Sequence, residues 1–173
     1  IHKYLRESII DKILFRDIPQ IFKVKNIDIL EEILEIIIFS PGQIIDVIKL
    51  SKELGLTRQV VSLYLDYLGK SFLIKKLYNF SKNKRKIERK LKKYYPTLAS
   101  INLLFSEDSL SKSKVFENVL INQLKADFFW RDPYKNEVDM ILDEGKIIPI
   151  EIKYGEIKDI KGLLKFMDLF NIN

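Results

Sequence analysis

The 173-residue chain has no cysteine and one histidine, and these two scarcities remove most catalytic repertoires. Without thiols there is no disulfide, no thiolate metal site and no cysteine nucleophile, a composition that suits a reducing, cytoplasmic location. The single imidazole, His2, stands at the start of the chain, so Ser-His-Asp and Cys-His arrangements and multi-histidine zinc sites are excluded by inventory. Any catalysis rests on carboxylates and lysines, with a hard cation, Mg²⁺ or Mn²⁺, as the metal. Six glycines and five prolines are too few for a collagen-like or long flexible segment. Apolar runs are short as well. The stretch from Ile29 to Phe39 is broken by Glu31, Glu32 and Glu35, well below the ~18 residues of a membrane span, so no membrane partner is expected. No Gly-x-x-x-x-Gly-Lys-Ser/Thr occurs, so this chain does not hold ATP through a P-loop.

What the chain does contain is apolar and charged residues in globular proportion, 47% and 31%, enough for one compact domain or two small ones. The net charge of +6 is local. Lys82 to Lys93 (KNKRKIERKLKK) holds eight Lys or Arg and one Glu, and the rest of the chain carries 22 basic and 23 acidic residues. A basic run on a neutral protein reads either as the electrostatic footprint of a nucleic-acid ligand or as a solvated loop without a partner, and its position after the helices described next favours the first.

Ile29, Leu30, Ile33, Leu34, Ile37 and Ile38 recur at helical spacing, and the pattern predicts a helix ending near Ser40-Pro41-Gly42. A second helix is predicted over Ile44 to Leu54, with Ile45, Ile48 and Leu54 inward and Gly55 as its stop. A third follows Thr57 as N-cap, with Val60, Val61, Tyr64 and Leu68 facing the core. Phe72 to Tyr78 reads as a strand, and the basic run follows it at the place of a wing. The stretch from about Ile29 to Leu91 therefore resembles a winged helix-turn-helix. The resemblance implies that Thr57, Arg58, Gln59 and Ser62 reach DNA bases, while Lys84, Arg85 and Lys86 contact phosphates.

The segment Glu137 to Lys153 (EVDMILDEGKIIPIEIK) alternates as a β-hairpin. A three-residue loop Asp143-Glu144-Gly145, with Gly145 left-handed, pairs Leu142 with Lys146. Val138, Met140, Leu142, Ile148, Ile150 and Ile152 then share an apolar face, and Glu137, Asp139, Glu151 and Lys153 share the other. Asp139 and Glu151 become diagonal cross-strand neighbours, close enough for one divalent ion, and Lys153 lies one step along the same face. An Asp followed by Glu-x-Lys on the adjoining strand is the PD-(D/E)xK pattern of restriction-endonuclease-like nucleases. Such a pattern implies Mg²⁺ on the carboxylates, activating a water for phosphodiester attack, with the lysine orienting that water. Upstream, Val115 to Leu124 reads as an amphipathic helix whose Glu117 stands where the resemblance supplies a third metal ligand, and Phe128 to Arg131 reads as a strand.

Taken in order, Arg16-Asp17-Ile18, Leu54-Gly55-Leu56-Thr57, Phe116-Glu117-Asn118, Trp130-Arg131, Glu137-Val138-Asp139 and Glu151-Ile152-Lys153 resemble the C-terminal half of a prokaryotic family of AAA-type P-loop ATPases. That family places a winged helix and an endonuclease-like domain of poorly defined function after its ATPase module. The resemblance covers essentially the whole chain and implies that ATP belongs to a preceding module acting in cis, through which the parent could oligomerise. Two departures stand out: Lys93 to Ala99 lacks the Asp and Gly of a Lys-x-Tyr-x-x-Asp-x-Gly segment, and Ser113 replaces a small glycine before the Glu117 helix.

The expected fold is α+β. Residues 1–27 would be trailing helices of the absent ATPase module, 28–93 the winged helix, and 94–173 an endonuclease-like domain cut short at its C-terminal side. The expected function is DNA engagement, with Asp139, Glu151 and Lys153 as catalytic residues and Glu117, Asp139 and Glu151 as metal ligands. Its alternative is an inactive protein-interaction or regulatory module of the ATPase. Nothing in the sequence separates DNA from RNA as the target.

Overall fold

The computed structural model describes residues 2–83, 85, 87, 91–98, 109–156 and 159–172. Its fold is α+β. A helical lead, α1 (His2–Leu5), continues through two π-helical turns (Arg6–Ile10 and Ile13–Asp17) into α2 (Ile18–Ile21). Its buried Ile10, Leu14 and Ile18 join the core formed by α3 (Ile27–Phe39). Asn26 caps α3 by accepting from the backbone N–H groups of Asp28 and Ile29, and the inward residues are Leu30, Ile33, Leu34, Ile37 and Ile38, as the spacing predicts.

The second predicted helix is shorter than its pattern. Ile44 lies in a short strand, β1 (Gln43–Ile44), and α4 (Val47–Glu53) starts only after Asp46, whose side chain caps it. Ile48 is exposed and Leu50 takes the inward place. After the turn at Gly55, Thr57 caps α5 (Arg58–Lys70), with Val61, Tyr64, Leu65, Tyr67 and Leu68 buried. The chain then forms β2 (Ile74–Asn79) and β3 (Lys92–Pro96), which pair antiparallel with the basic run between them. Strands β1, β3 and β2 lie side by side in that order, with α3 against β3 and α5 against β2. Phe72, expected in the strand, is instead a left-handed turn residue at φ 58°.

The second half supplies α6 (Ser109–Gln123), β4 (Phe128–Arg131), β5 (Glu137–Asp143), β6 (Ile147–Ile150) and α7 (Lys161–Phe170). It does not form a separate sheet. The six strands among the described residues make one sheet in the order β1-β3-β2-β4-β5-β6, joined where β2 and β4 run parallel. Asn79 splices that junction: its buried amide donates to the Arg131 carbonyl (2.9 Å) and accepts from the Arg131 N–H (3.1 Å). The boundary expected between residues 93 and 94 falls inside β3.

Alternation along the strands assigns the two faces of the sheet. Ile74 and Tyr94 face the helices α3 and α5, whereas Leu77, Tyr95, Phe129 and Met140 form a cluster with Ile121 of α6. On the first face but further along, α7 packs Phe166 against Phe80, Trp130, Val138 and Ile141. Helix α6 thus covers the face opposite α5.

Candidate functional site: a carboxylate cluster crossed by a lysine

The hairpin register decides where the carboxylates go. Met140 pairs with Ile150, Leu142 with Ile148 and Asp143 with Ile147, so the loop is Glu144-Gly145-Lys146, one residue later than expected. Gly145 is left-handed at φ 83°, as expected. This register carries Asp139 directly opposite Glu151 rather than diagonal to it. The strand ends at Ile150, however, so Glu151 and Lys153 lie in the segment just beyond. One bond ties that segment down: the Ile152 N–H donates to Asp139 Oδ2 at 2.9 Å.

A β-bulge supplies the rest of the placement. Phe128 pairs with Ile141 but Trp130 pairs with Val138, so Phe129 alone faces the two residues Asp139 and Met140. The extra residue reverses the alternation. Val138 therefore packs toward α7 while Met140 stays with α6, and the single apolar face expected of this hairpin is divided between two clusters. Ile148, also expected on it, is 49% exposed.

Around the bulge gather Glu117, Glu137, Asp139 and Glu151 with Lys93, Lys153 and Tyr95. Lys93 comes from β3, separated from β5 by β2 and β4, and its side chain is only 5% exposed. Its ammonium donates to Glu137 at 2.6 Å, stands 3.6 Å from Glu117 Oε1, and lies 5.3 Å from the Phe129 ring centre. Tyr95, two residues on and on the same face, donates its hydroxyl to Glu117 Oε1 at 2.6 Å. Gly42 closes against this pair: a β-carbon there would stand 2.9 Å from Tyr95 Cε1 and 3.1 Å from Glu117 Oε1. At the other side Gly162 of α7 lies so close that a β-carbon would overlap the Glu137 backbone.

The electrostatics follow from this crowding. Burial raises the Glu117 pKa, with Asp139 and Glu137 adding to the rise and Lys93 and Tyr95 opposing it. Glu151 is likewise raised, first by burial, although Lys153 bonds its Oε1 at 2.5 Å. For Lys93 burial works downward, but Glu117, Glu137 and Asp139 more than offset it and its pKa is raised. Tyr95 is raised well above its usual range by burial and by Glu117.

Of the residues expected to hold a metal, Asp139 and Glu151 come together, whereas Glu117 is engaged by Tyr95 and Lys93. Among the described residues no group of three or more carboxylates or imidazoles is arranged to hold an ion. Two carboxylates still fit Mg²⁺, which binds through one or two carboxylates and completes its shell with water and phosphate. Glu151 Oε2 is buried without a hydrogen-bond partner, an orphaned acceptor that a cation would satisfy.

The residues expected to touch DNA lie elsewhere. Thr57, Arg58, Gln59 and Ser62 are exposed at the start of α5, where Thr57 Oγ1 accepts from the Val60 N–H. Arg85 is exposed beside the β2–β3 turn, and Lys84 and Lys86 lie outside the described residues. Helix α5 and the carboxylate cluster occupy opposite faces of the sheet.

Lys93, Tyr95 and Gly42 are the members of the cluster that motif reading missed, and Glu137 is placed on its face without a role. Lys93 is concealed by its neighbours, since it ends a run of basic residues that reads as wing. The available signal is strand alternation, which puts Lys93 and Tyr95 on one face and Lys92 and Tyr94 on the other.

The family assignment fits this two-part build. Residues 1–98, more than half of the chain, match the family described as Domain of unknown function (DUF8612). The chain belongs to the DUF8612 family. Residues 112–172 match a second Domain of unknown function, DUF4143, found in AAA-ATPase-associated proteins. No curated protein and no solved structure matches the chain. Lys93 lies in the DUF8612 part and Glu117, Glu137, Asp139 and Glu151 in the DUF4143 part, so the cluster is shared by both. Among the described residues no helix is long and apolar enough to cross a membrane.

Proposed function

We propose that this chain is the DNA-engaging C-terminal region of an AAA-type ATPase, built from a winged helix and an endonuclease-like unit. The observation that carries the DNA reading is placement. Lys92, near the end of the basic run, lines one groove with Ser62 of α5, and the exposed Arg58, Gln59 and Ser62 form a surface suited to the major groove. In the endonuclease-like unit Asp139 and Glu151 would hold Mg²⁺ or Mn²⁺. The ion would supply an activated water and charge stabilisation on a phosphodiester. Lys153, held by Glu151, is positioned to orient that water or offset charge at the phosphate. The AAA-type module in cis, with its own ATP, would drive the assembly.

A second reading is favoured by Lys93. Its buried ammonium already offsets part of the charge of the acidic cluster, so the same unit could serve as a metal-free scaffold that docks DNA or regulates the ATPase. Labelled duplex DNA, incubated with Mg²⁺ or Mn²⁺ and with wild type or the Asp139→Ala/Lys153→Ala double variant, separates the two. Cleavage by the wild type alone supports the nuclease, binding without cleavage supports the scaffold, and no binding of duplex sinks the DNA reading altogether.

A further inference from the structure

Among the described residues four helices end on the same left-handed turn, α4 at Gly55, α5 at Phe72, α6 at Lys125 and α7 at Asn171, and the two that carry neither glycine nor asparagine there end beside one groove. After α5 the N–H of Leu73 bonds back to the Leu68 carbonyl and that of Phe72 to Gly69, leaving Phe72 left-handed at φ 58°. After α6 the N–H of Ala126 returns to Ile121 and that of Lys125 to Asn122, leaving Lys125 left-handed at φ 51°. This helix ending normally places glycine at the left-handed position, because a β-carbon is strained there. Here the two positions carry phenylalanine and lysine. Burial does not compensate for the strain at Phe72, which is 80% exposed. Strain retained without a packing return points to a use for the side chain.

Both residues border a groove of about 730 Å³ at the end of the sheet where β2 and β4 begin, lined also by Lys70, Lys75, Lys76 and Thr97. Four lysines face it against the aspartates 66 and 127, and Asp66 is already engaged by Lys70 at 2.7 Å. Lys75 is half-buried, and its pKa is lowered by that burial and by Lys125, with Asp127 opposing. The groove wants negative charge. Its rim offers one exposed aromatic face.

We propose that this groove binds single-stranded nucleic acid, with Phe72 stacking on a base and Lys75 and Lys125 contacting the adjoining phosphates. A cationic groove with an aromatic platform is the combination that single strands require, since every base has a face to stack and every linkage carries a charge. The groove adjoins the Arg58 surface, with Asp66 on the border of both, and lies apart from the Asp139–Glu151 pair. It also passes around the end of the sheet, from the α5 side to the α6 side, and so offers a path between the two faces.

The test uses fluorescence anisotropy of a labelled oligo(dT) of about 20 nucleotides, longer than one such groove occupies, with the 173-residue chain and its Phe72→Gly and Lys125→Gly variants. Each variant is expected to weaken single-strand binding about tenfold, the share of one stacked base or one neutralised phosphate. Each should also raise the melting temperature, by about 2–4 °C, because glycine relieves the left-handed strain. A structural role for Phe72 would lower the melting temperature instead. The proposal is overturned if oligo(dT) is not bound, if Phe72→Gly binds it like the wild type, or if AMP competes as well as the oligonucleotide at equal phosphate concentration. Arg58→Ala should weaken duplex binding alone. Retained single-strand binding with no duplex binding would therefore uphold the groove while defeating the duplex reading.

Discussion

Lys93 is the residue on which the carboxylate cluster depends. Four acidic side chains crowd one bulge, and removing the only deeply buried cation among the described residues leaves Glu117 and Glu137 with an uncompensated charge. Breaking a buried pair in this way is expected to cost about 3–5 kcal/mol, so Lys93→Met should shift the denaturation midpoint strongly while the Lys93→Met/Glu137→Met double variant recovers much of the loss. If the single variant unfolds at the wild-type urea concentration, the ammonium is not what holds the cluster together. The acidic partners give a second test, through pH. Burial raises Glu151 above its ordinary 4.5, and the protonated acid has no charge to offer a cation. Mn²⁺ affinity, followed by calorimetry across the mildly acidic to neutral range, should therefore weaken at a higher pH than an ordinary carboxylate would allow, and Glu151→Gln should remove that displaced part of the dependence. The same shift has the opposite sense for folding. A carboxyl whose folded-state pKa is raised favours the fold fully below its unfolded value, and that contribution disappears as the pH climbs through the raised one. Lys93, also raised, contributes up to its usual 10.5 and is lost only above it.

At the scale of the element, the helices are legible in the sequence because periodicity and caps agree. Asn26, Asp46 and Thr57 each accept backbone N–H groups at a helix start, although only Thr57 stands out as a cap from its sequence context. The hairpin is legible in parity but not in detail, since its loop lies one residue later and its bulge leaves no mark in the pattern of apolar residues. Val138 reads as part of the Met140 face, and only pairing with β4 reveals the extra residue that sends it to the other. The approach of Asp139 to Glu151 is legible because both belong to one hairpin. Lys93 is not, because its partners come from distant parts of the chain. Phe72 fails for a different reason, in that β-propensity extends the strand over a residue the helix ending has claimed. The basic hairpin and α5 carry the prediction proper to this scale. Replacing Lys84, Arg85 and Lys86 with alanine should flatten the salt dependence of duplex binding by roughly 0.9 in the log–log slope for each phosphate no longer neutralised. If Arg58 contacts bases as proposed, Arg58→Ala should instead lower discrimination among duplex sequences. An unchanged salt slope in the triple variant would remove the hairpin from the interface.

The whole molecule is organised by a sheet that ignores the division between its two families. DUF8612 ends near residue 98 and DUF4143 begins at 112, yet β2 of the first pairs with β4 of the second, and Tyr95 and Leu77 of the first are fully buried with Ile121, Phe129 and Met140 of the second. A chain ending at residue 98 would expose those apolar side chains together with the unpaired edge of β2, which is a template for aggregation. Calorimetry of the 173-residue chain is thus expected to give one cooperative transition, with residues 1–98 alone poorly soluble or partly folded. Asn79 should carry much of this coupling. Its amide satisfies both backbone groups of Arg131 at the junction, and Asn79→Leu would leave them buried without partners, at a cost of about 1–3 kcal/mol. If Asn79→Leu also splits the transition in two, the junction is the point at which the halves communicate. A movement imposed on α5 by a bound duplex would then reach the carboxylate cluster through β2, β4 and Lys93. If the variant is merely less stable and still melts as one unit, the Lys93–Glu137 bond and the shared core suffice to hold the halves together, and a bound duplex would reach the site only by direct contact.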